Sequence, residues 1–319
     1  MKKRKSSLEL LRIIAMLMII TLHFIGPYTN LDKNSIKNYY ILQLIESFSI
    51  IGVNIFIIIS SFFLIDKEKI KLRKIIDLLV ILIFYGLLFY TIAIVFKIKE
   101  FDFEELIYAI IPSFAGRRWF ILSYIFLYLL SPYLAFTLNR INKNSYKKLV
   151  IITLLFTSIW PTFFPGGLRL DNGYGIVSFV VLFILTGYIK RFFDFNKINK
   201  NVYLIIGILS QVCIFILSIL KITETYWNYN NIFNIIAALS LFLYFNNLNI
   251  SCDFINKLSS YSFATFLIHS DFMMSTFFYE KIMKRPFVIQ SKKILFYILI
   301  YSLFIFGLLN YRDYKKNII

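Results

Sequence analysis

The chain has 319 residues, of which 59% are hydrophobic and 16% are charged, and its mean hydropathy is +0.73. These values exclude an ordinary water-soluble globular domain and are typical of a protein that crosses a membrane several times. The formal net charge is +18, but the basic residues lie in short clusters at the ends of apolar runs. They therefore indicate membrane topology and contacts with anionic lipids, and nucleic acid is not expected as a partner.

Ten apolar runs approach or exceed the length that crosses a hydrocarbon core about 30 Å thick. The sequence therefore predicts an all-α, polytopic integral membrane protein with about ten transmembrane helices, organised as a single domain over residues 1-319. The predicted spans are 8-27, 43-65, 75-96, 119-138, 149-164, 174-190, 202-221, 229-246, 261-279 and 292-310.

The distribution of Lys and Arg predicts the orientation of the chain. Lys2 to Lys5 precede the first span, and most of the 35 basic residues fall on the same side as this N-terminal cluster when ten spans are assumed. Basic residues are retained on the cytoplasmic side of a membrane. We therefore expect both termini to be cytoplasmic and the protein to lie in the plasma membrane.

Histidines occur at only two positions, His23 and His269, and both lie inside apolar segments. Ionisable residues are costly at membrane depth, and those that occur there usually serve a function. Arg12 precedes His23 by eleven positions, which is about three helical turns, so both side chains are expected on one face, about 16 Å apart. One helix is therefore predicted to carry a cation near one membrane surface and a base nearer the other.

Four sequence blocks resemble, in their order and spacing, the membrane-bound acyltransferase 3 family. In the first block Leu11-Arg12-Ile13-Ile14-Ala15 leads to Leu22-His23, and this pattern is similar to the family's first helix. The other three blocks are Gly52-Val53-Asn54-Ile55-Phe56, Trp119-Phe120-Ile121-Leu122 and the run from Ser262 to His269. The resemblance departs from the family pattern at Ser61, where glycine is usual, and at Phe266, where tyrosine is common.

The resemblance implies transfer of an acyl group, most simply acetyl, from cytosolic acyl-coenzyme A to a hydroxyl of a surface or exported polysaccharide or a lipid-linked glycan. It implies that Arg12 lies at the donor and that His23 acts as a general base or carries the acyl group transiently. Family members often carry two arginines three positions apart at the start of the third helix, which meet coenzyme A phosphates. Here Lys71 and Lys74 keep this spacing, with Arg73 between them, and lysine meets phosphate as a point charge.

Three further residues are candidates for binding the acceptor. His269 would line the acceptor path, orient His23, or form a structural hydrogen bond between helices. Trp119 would shape the acyl tunnel or stack on a sugar, and the neighbouring Arg118 would meet an anionic glycan. Aromatic and basic residues are also common anchors at a membrane interface, so a purely anchoring role of Trp119 and Arg118 stays open.

Other classes of function also stay open. A transporter of polysaccharide or of a proton-coupled solute would use similar residue types, although no matching pair of Gly/Pro-broken spans indicates one. The chain would otherwise be a non-catalytic subunit of a glycan-assembly complex, so glycan-assembly proteins and a second copy of the chain are both candidate partners. No metal is expected, because no cluster of Cys, His and carboxylate residues has the spacing of a ligand set.

Overall fold

The computed structural model describes residues 5–29, 36–111, 119–164, 170–195, 197–222, 224–270 and 277–304. Every regular element in these ranges is a helix, and none of the described residues forms a strand. The helices are α1 (Ser6–Thr29), α2 (Tyr39–Ser49), α3 (Gly52–Leu64), α4 (Leu72–Val95), α5 (Phe103–Ile110), α6 (Trp119–Leu138), α7 (Lys143–Leu154), α8 (Trp160–Phe163), α9 (Ile176–Phe192), α10 (Lys200–Leu220), α11 (Ile232–Asn246), α12 (Asp253–Ser259), α13 (Ser262–His269), α14 (Arg285–Gln290) and α15 (Ile294–Phe304). The segments Leu155–Ile159 and Phe278–Ile282 are π-helical turns.

Five helical segments are long and apolar enough to cross a membrane, by length and composition. They are α1, α4, α6, α10 and the segment Tyr39–Leu64, which joins α2 and α3. Two shorter apolar helices, α11 and α15, accompany them. Each of the ten predicted spans contains a helix in the part that the structure describes. The class of an all-α membrane protein is therefore confirmed, and the count of about ten crossings stays a prediction.

Helix α1 lies at the centre of the packed helices. It contacts α2, α3, α11, α12, α13 and α14. Leu11, Ala15 and Ile25 of α1 are completely buried in these contacts. Because a lipid environment gives little hydrophobic driving force between helices, such association depends on close van der Waals packing. The neighbours therefore fix the position of α1, and with it the positions of Arg12 and His23.

The closest approach between α1 and α3 occurs at Gly52. A Cβ atom at this position would lie 2.8 Å from the carbonyl oxygen of Ala15 and 2.9 Å from the Cγ1 atom of Ile19. A larger residue would push α3 away from α1, which explains why glycine fits here. The contact also fixes Ile19, a side chain that separates the two cavities described next.

Candidate active site formed by two cavities along the first helix

Two cavities lie beside α1, one towards each of its ends. We call them the Arg12 cavity, of about 860 Å³, and the His23 cavity, of about 570 Å³. The polar residues that line the Arg12 cavity are Lys5, Glu9, Arg12, Ser60, Asp66, Lys67, Lys74, Tyr124, Ser259, Ser260 and Ser262. The polar and aromatic residues that line the His23 cavity are His23, Glu46, Trp119, Phe120, Tyr174, Trp227, Tyr229, Phe266, His269, Ser270, Tyr279 and Arg285.

Three side chains line both cavities and form the boundary between them: Ile19, Phe120 and Phe266. The rings of Phe120 and Phe266 lie with their centroids 5.2 Å apart. Ile19 belongs to α1 and lies one helical turn before His23. The two cavities therefore meet next to the histidine, separated only by apolar side chains.

Arg12 is held in its cavity by a buried acid. The carboxylate of Glu9 accepts hydrogen bonds from the guanidinium of Arg12 and from the hydroxyl of Ser259 on α12. Glu9 lies one turn before Arg12, a spacing that brings the two side chains together on a helix. A guanidinium carries five N–H donors, so the bond from its Nη1 atom to Glu9 leaves donors that face the cavity.

Lysines concentrate further positive charge around the Arg12 cavity. The pKa of Lys67 is lowered, first by burial and then by the charges of Lys74, Lys71 and Lys190. Lys67 therefore lies close to other cations, of which Lys190 is paired with Asp66. A phosphorylated ligand would relieve this repulsion.

The three basic residues predicted to meet coenzyme A phosphates separate in the structure. Lys74 lines the Arg12 cavity, together with Lys67, whereas Lys71 and Arg73 are exposed and do not line it. The reason is local, because α4 begins at Leu72 and the backbone of Lys71 is still extended. The spacing of three positions therefore does not place Lys71 and Lys74 on one helical face.

His23 and His269 form a direct hydrogen bond. The Nδ1 atom of His23 lies 2.9 Å from the Nε2 atom of His269, and the Nδ1 atom of His269 lies 2.7 Å from the carbonyl oxygen of Thr265. A carbonyl only accepts, so with both rings neutral the Nδ1 atom of His269 carries a proton and its Nε2 atom accepts one from His23. The Nε2 atom of His23 then holds a lone pair. His269 is buried, whereas His23 is accessible from the cavity.

Aromatic rings cover much of the wall around the histidine pair. Trp119 lies with its ring centroid 4.8 Å from that of Tyr174 and 5.7 Å from that of Tyr229. The predicted acceptor residue Trp119 thus shares a cavity with His23 and His269. Arg118, the remaining candidate, lies outside the residues that the structure describes.

The structure adds site residues that the sequence-based interpretation missed. Glu46 is the only acidic residue in the predicted span 43-65, and a carboxylate at membrane depth is a recognisable signal. Glu9 lies three positions before Arg12, and this spacing indicates a pair of side chains on one helical face. Trp227 and Arg285 lie between predicted spans, and nothing in their local sequence indicated that they would lie beside His23. Among the described residues, no group of three or more His, Cys, Asp or Glu side chains is arranged to hold a metal ion.

The fold and these cavities define an integral membrane protein with two differently lined chambers that meet on one helix. Residues 5–315 match the family described as an acyltransferase domain, the acyltransferase 3 family, and the chain belongs to it. The protein is therefore an integral-membrane enzyme that transfers acyl groups, and the resemblance noted from the sequence is confirmed. Comparison with curated proteins and with solved structures gave no significant match.

Proposed function

We propose that this acyltransferase moves an acyl group, most simply acetyl, from cytosolic acyl-coenzyme A to a hydroxyl of a surface or exported polysaccharide or a lipid-linked glycan. It would act in the plasma membrane with both termini in the cytoplasm. One observation supports this proposal above the others: a cation-rich cavity and a histidine-lined cavity meet across Ile19, Phe120 and Phe266, beside His23.

The Arg12 cavity suits the donor. Coenzyme A carries phosphates, and Arg12, Lys67 and Lys74 supply cations for them at the N-terminal end of α1, the end proposed to face the cytoplasm. The thioester would then extend past the boundary residues towards His23. The His23 cavity would receive the acceptor from the opposite side of the membrane.

The Nε2 atom of His23 is the proposed reactive atom. In a direct route it accepts the proton of the acceptor hydroxyl while the hydroxyl oxygen bonds to the thioester carbonyl carbon. The carbon–sulfur bond breaks, and the proton passes to the leaving sulfur to give the coenzyme A thiol. In a relay route the same nitrogen first bonds to the acyl carbon, the carbon–sulfur bond breaks, and the leaving sulfur takes a proton from the histidine pair to give the coenzyme A thiol. The acceptor hydroxyl oxygen then bonds to the acyl carbon, the carbon–nitrogen bond breaks, and the hydroxyl proton returns to the histidine pair. In both routes His269 positions the ring of His23 through their hydrogen bond.

The test compares His23→Ala with Thr21→Ala in cells that lack the native gene copy, at equal membrane abundance. Thr21 lies on the same helix, but its hydroxyl bonds to Ser302 and lines a separate apolar groove. We expect the acyl-ester content of total surface glycan to reach wild-type values with Thr21→Ala. With His23→Ala the transfer rate should fall by about 10²- to 10⁴-fold, the usual contribution of general-base catalysis.

Two other outcomes would change the proposal. Normal ester content with His23→Ala would exclude both histidine routes. Unchanged ester content after complete deletion would exclude glycan acylation as the function and favour the transporter, which solute flux in the absence of acyl donors would then test. Mass spectrometry of acid-quenched protein, incubated with acetyl-coenzyme A alone, separates the two routes because only the relay leaves an acetyl group on His23.

A further inference from the structure

Three aromatic rings from distant parts of the chain meet in the wall of the His23 cavity. They belong to Trp119 at the start of α6, to Tyr174 just before α9 and to Tyr229 just before α11. The ring centroid of Tyr174 lies 4.8 Å from that of Trp119 and 4.8 Å from that of Tyr229, at interplanar angles of 64° and 66°. Edge-to-face contacts of this kind between aromatic rings are favourable. We call these three residues the aromatic platform.

The members of the aromatic platform differ in exposure. Tyr229 is 5% exposed and Trp119 is partly buried, whereas Tyr174 is 41% exposed and lines the cavity. Aromatic side chains that remain accessible in a cavity are common contacts for bound small molecules. Tyr174 is therefore the ring that a ligand would contact most, and Trp119 and Tyr229 support it through their ring contacts.

The backbone before Tyr174 has a fixed and unusual conformation. Asn172 and Gly173 have positive φ angles of 52° and 88°. A Cβ atom at Gly173 would lie 2.5 Å from the backbone nitrogen of Asn230, so glycine is required for this close approach. The backbone N–H of Tyr229 donates to the carbonyl oxygen of Asn172 over 3.0 Å. The turn that carries Tyr174 is therefore bonded to the segment that carries Tyr229.

Asparagine side chains hold the segment around Tyr229 in place. Asn54 on α3 is 2% exposed, and its Nδ2 atom donates to the carbonyl oxygen of Tyr229 over 2.8 Å. The Nδ2 atom of Asn230 donates to the carbonyl oxygen of Thr157, and that of Asn234 donates to two carbonyl oxygens earlier in the segment. Satisfied buried networks of this kind rigidify a segment that has no regular structure. A ring held in this way loses little conformational freedom when a ligand binds.

The surroundings of Tyr174 combine an aromatic surface with polar groups. His23 is exposed to the same cavity, and Ser270 and Arg285 also line it. A lipid chain has no use for these polar groups, whereas a sugar ring presents C–H bonds on its faces and hydroxyls around its edge. The C–H bonds of a sugar carry a small positive charge, which the negative face of an aromatic ring attracts. The chemistry of the cavity therefore matches both surfaces of a cyclic sugar.

We propose that Tyr174 is a specificity-determining residue of the acceptor site, and that its ring stacks on one face of a cyclic sugar of the acceptor. Stacking orients the sugar so that a hydroxyl at its edge reaches the Nε2 atom of His23. A linear polyol has no flat face and gains less from the same ring. This inference rests on the proposed function, because it assigns the class of acceptor in the same reaction.

The test measures acetyl transfer by purified protein in lipid nanodiscs. The donor is radiolabelled acetyl-coenzyme A, and the acceptor probe is surface glycan from deletion cells, freed of esters by mild base and separated into polymers of sugar rings and polymers of linear polyols. The variants are Tyr174→Leu, which removes the ring, and Tyr174→Phe, which keeps it. Tyr133→Leu is the matched control, because Tyr133 is an exposed tyrosine that lines neither cavity.

We expect Tyr174→Leu to raise KM for the sugar-ring polymers by about threefold to tenfold, which corresponds to the loss of one aromatic contact. KM for acetyl-coenzyme A should change by less than about twofold, because Tyr174 does not line the Arg12 cavity. Tyr174→Phe and Tyr133→Leu should stay within about twofold of the wild type for both substrates.

Four outcomes would overturn the proposal. The first is an unchanged KM for the sugar-ring polymers in Tyr174→Leu. The second is an equal rise in KM for both substrates, which would mean a general structural defect. The third is an equal rise with Tyr174→Phe, which would mean that the hydroxyl binds the acceptor and the ring does not. The fourth is transfer by the wild type to the linear polyols alone.

A second measurement decides the question if Tyr174→Leu does not accumulate in the membrane. Tyr174 is replaced by phenylalanine with an increasing number of ring fluorines. Fluorine withdraws electron density from the face of the ring and changes its shape little, so KM for the sugar-ring polymers should rise with each added fluorine. A ring that only fills space would give a KM independent of fluorine number, and that result would contradict stacking.

The design separates this inference from the proposed function. If the wild type transfers no acetyl group to either fraction, the proposed function fails and the role of Tyr174 fails with it. If the wild type transfers acetyl groups and the Tyr174 variants do so with unaltered KM, only the role of Tyr174 fails.

Discussion

The Arg12 cavity and the His23 cavity differ most in how their carboxylates are paired. Glu9 and Asp66, the acids that line the Arg12 cavity, are each bonded to a cation of the protein, so Lys67 and Lys74 leave an excess of positive charge. In the His23 cavity the arginine is paired and the carboxylate of Glu46 is not bonded to any described cation. The first chamber therefore carries an excess of positive charge, which would suit an anionic donor, whereas the second carries paired charges between aromatic walls.

One helix, α1, contributes residues to both chambers. Arg12 and His23 are fixed on α1, so the distance between the proposed donor site and the proposed reactive nitrogen does not depend on a loop. A rigid element holds reacting groups more accurately than a mobile one. The boundary between the chambers is apolar, so an acyl chain is compatible with Ile19, Phe120 and Phe266, whereas a charged phosphate is not.

Among the variants that test the difference between the two cavities, Arg12→Ala is expected to have the largest effect. A charge-assisted hydrogen bond to phosphate is worth roughly 1.5–3 kcal/mol, so KM for acetyl-coenzyme A should rise by about 10- to 100-fold. KM for the glycan should stay within about twofold, because Arg12 does not line the His23 cavity. Both constants come from the radiolabel assay in nanodiscs. Arg140→Ala, which removes an exposed arginine outside both cavities, is the control.

Arg12→Ala also leaves Glu9 buried without its cation, and this lowers stability. The double variant Glu9→Gln/Arg12→Ala removes the unpaired charge and should recover thermal stability without recovering donor affinity. If the double variant recovers both properties, then Arg12 acts only through the packing of α1, and the assignment of the Arg12 cavity to the donor is wrong.

The second effect concerns how His269 supports His23. His269→Ala removes the acceptor of the Nδ1 proton of His23, and loss of a bond worth about 1 kcal/mol should lower kcat by roughly fivefold to tenfold. Neither KM should change by more than about twofold, because His269 is 2% exposed and its Nε2 atom is engaged by His23. His269→Gln, which offers a side-chain oxygen to the same proton, should restore part of kcat.

A spectroscopic measurement checks the same bond without catalysis. The chain contains two histidines, so protein labelled with ¹⁵N in the imidazole rings, and purified without a histidine tag, gives signals from these rings alone. We expect both rings to be protonated at Nδ1 in the neutral wild type. A signal for His23 protonated at Nε2 would contradict the assignment of Nε2 as the reactive nitrogen.

The sequence predicted the helices well, because a lipid-facing helix must be apolar along its whole length and this requirement is visible in composition. It also selected His23 and Arg12 as candidates, since each is an ionisable residue inside an apolar run, and the structure places each in the wall of a cavity. It offered a contact between His23 and His269 as one of three alternatives and could not choose among them, because the two residues are 246 positions apart and their contact depends on how α13 packs against α1. Pairing across helices is a tertiary property that periodicity within one helix does not contain.

The basic cluster before α4 shows a second reason why prediction from sequence stops short. Lys71 and Lys74 keep the spacing of the family's paired arginines, and this resemblance implied that both would meet the phosphates of coenzyme A. In the structure the helix begins at Leu72, so only Lys74 follows helical geometry. A boundary shift of one or two residues is common at helix ends, and here it changes which side chain reaches the cavity.

The smallest effect tests that boundary directly by comparing Lys74→Ala with Lys71→Ala. Lys74 lines the Arg12 cavity and Lys71 does not, although the two residues have the same charge and belong to one cluster. Because an accessible lysine contributes at most about 1 kcal/mol to an ion pair, Lys74→Ala should raise KM for acetyl-coenzyme A by about threefold to fivefold. Lys71→Ala should leave KM within experimental error.

The effects of Lys74→Ala and Lys71→Ala on KM should also depend on salt concentration, which provides a second measurement. A long-range electrostatic contribution is screened over about 8 Å at physiological ionic strength, so both lysines would lose influence together if they acted only through the general positive field. A direct contact between Lys74 and a donor phosphate should persist at higher salt and separate the two variants further. Equal effects of both substitutions, vanishing together as salt rises, would mean that the cluster attracts the donor without binding it, and that Arg12 alone holds the donor in the cavity.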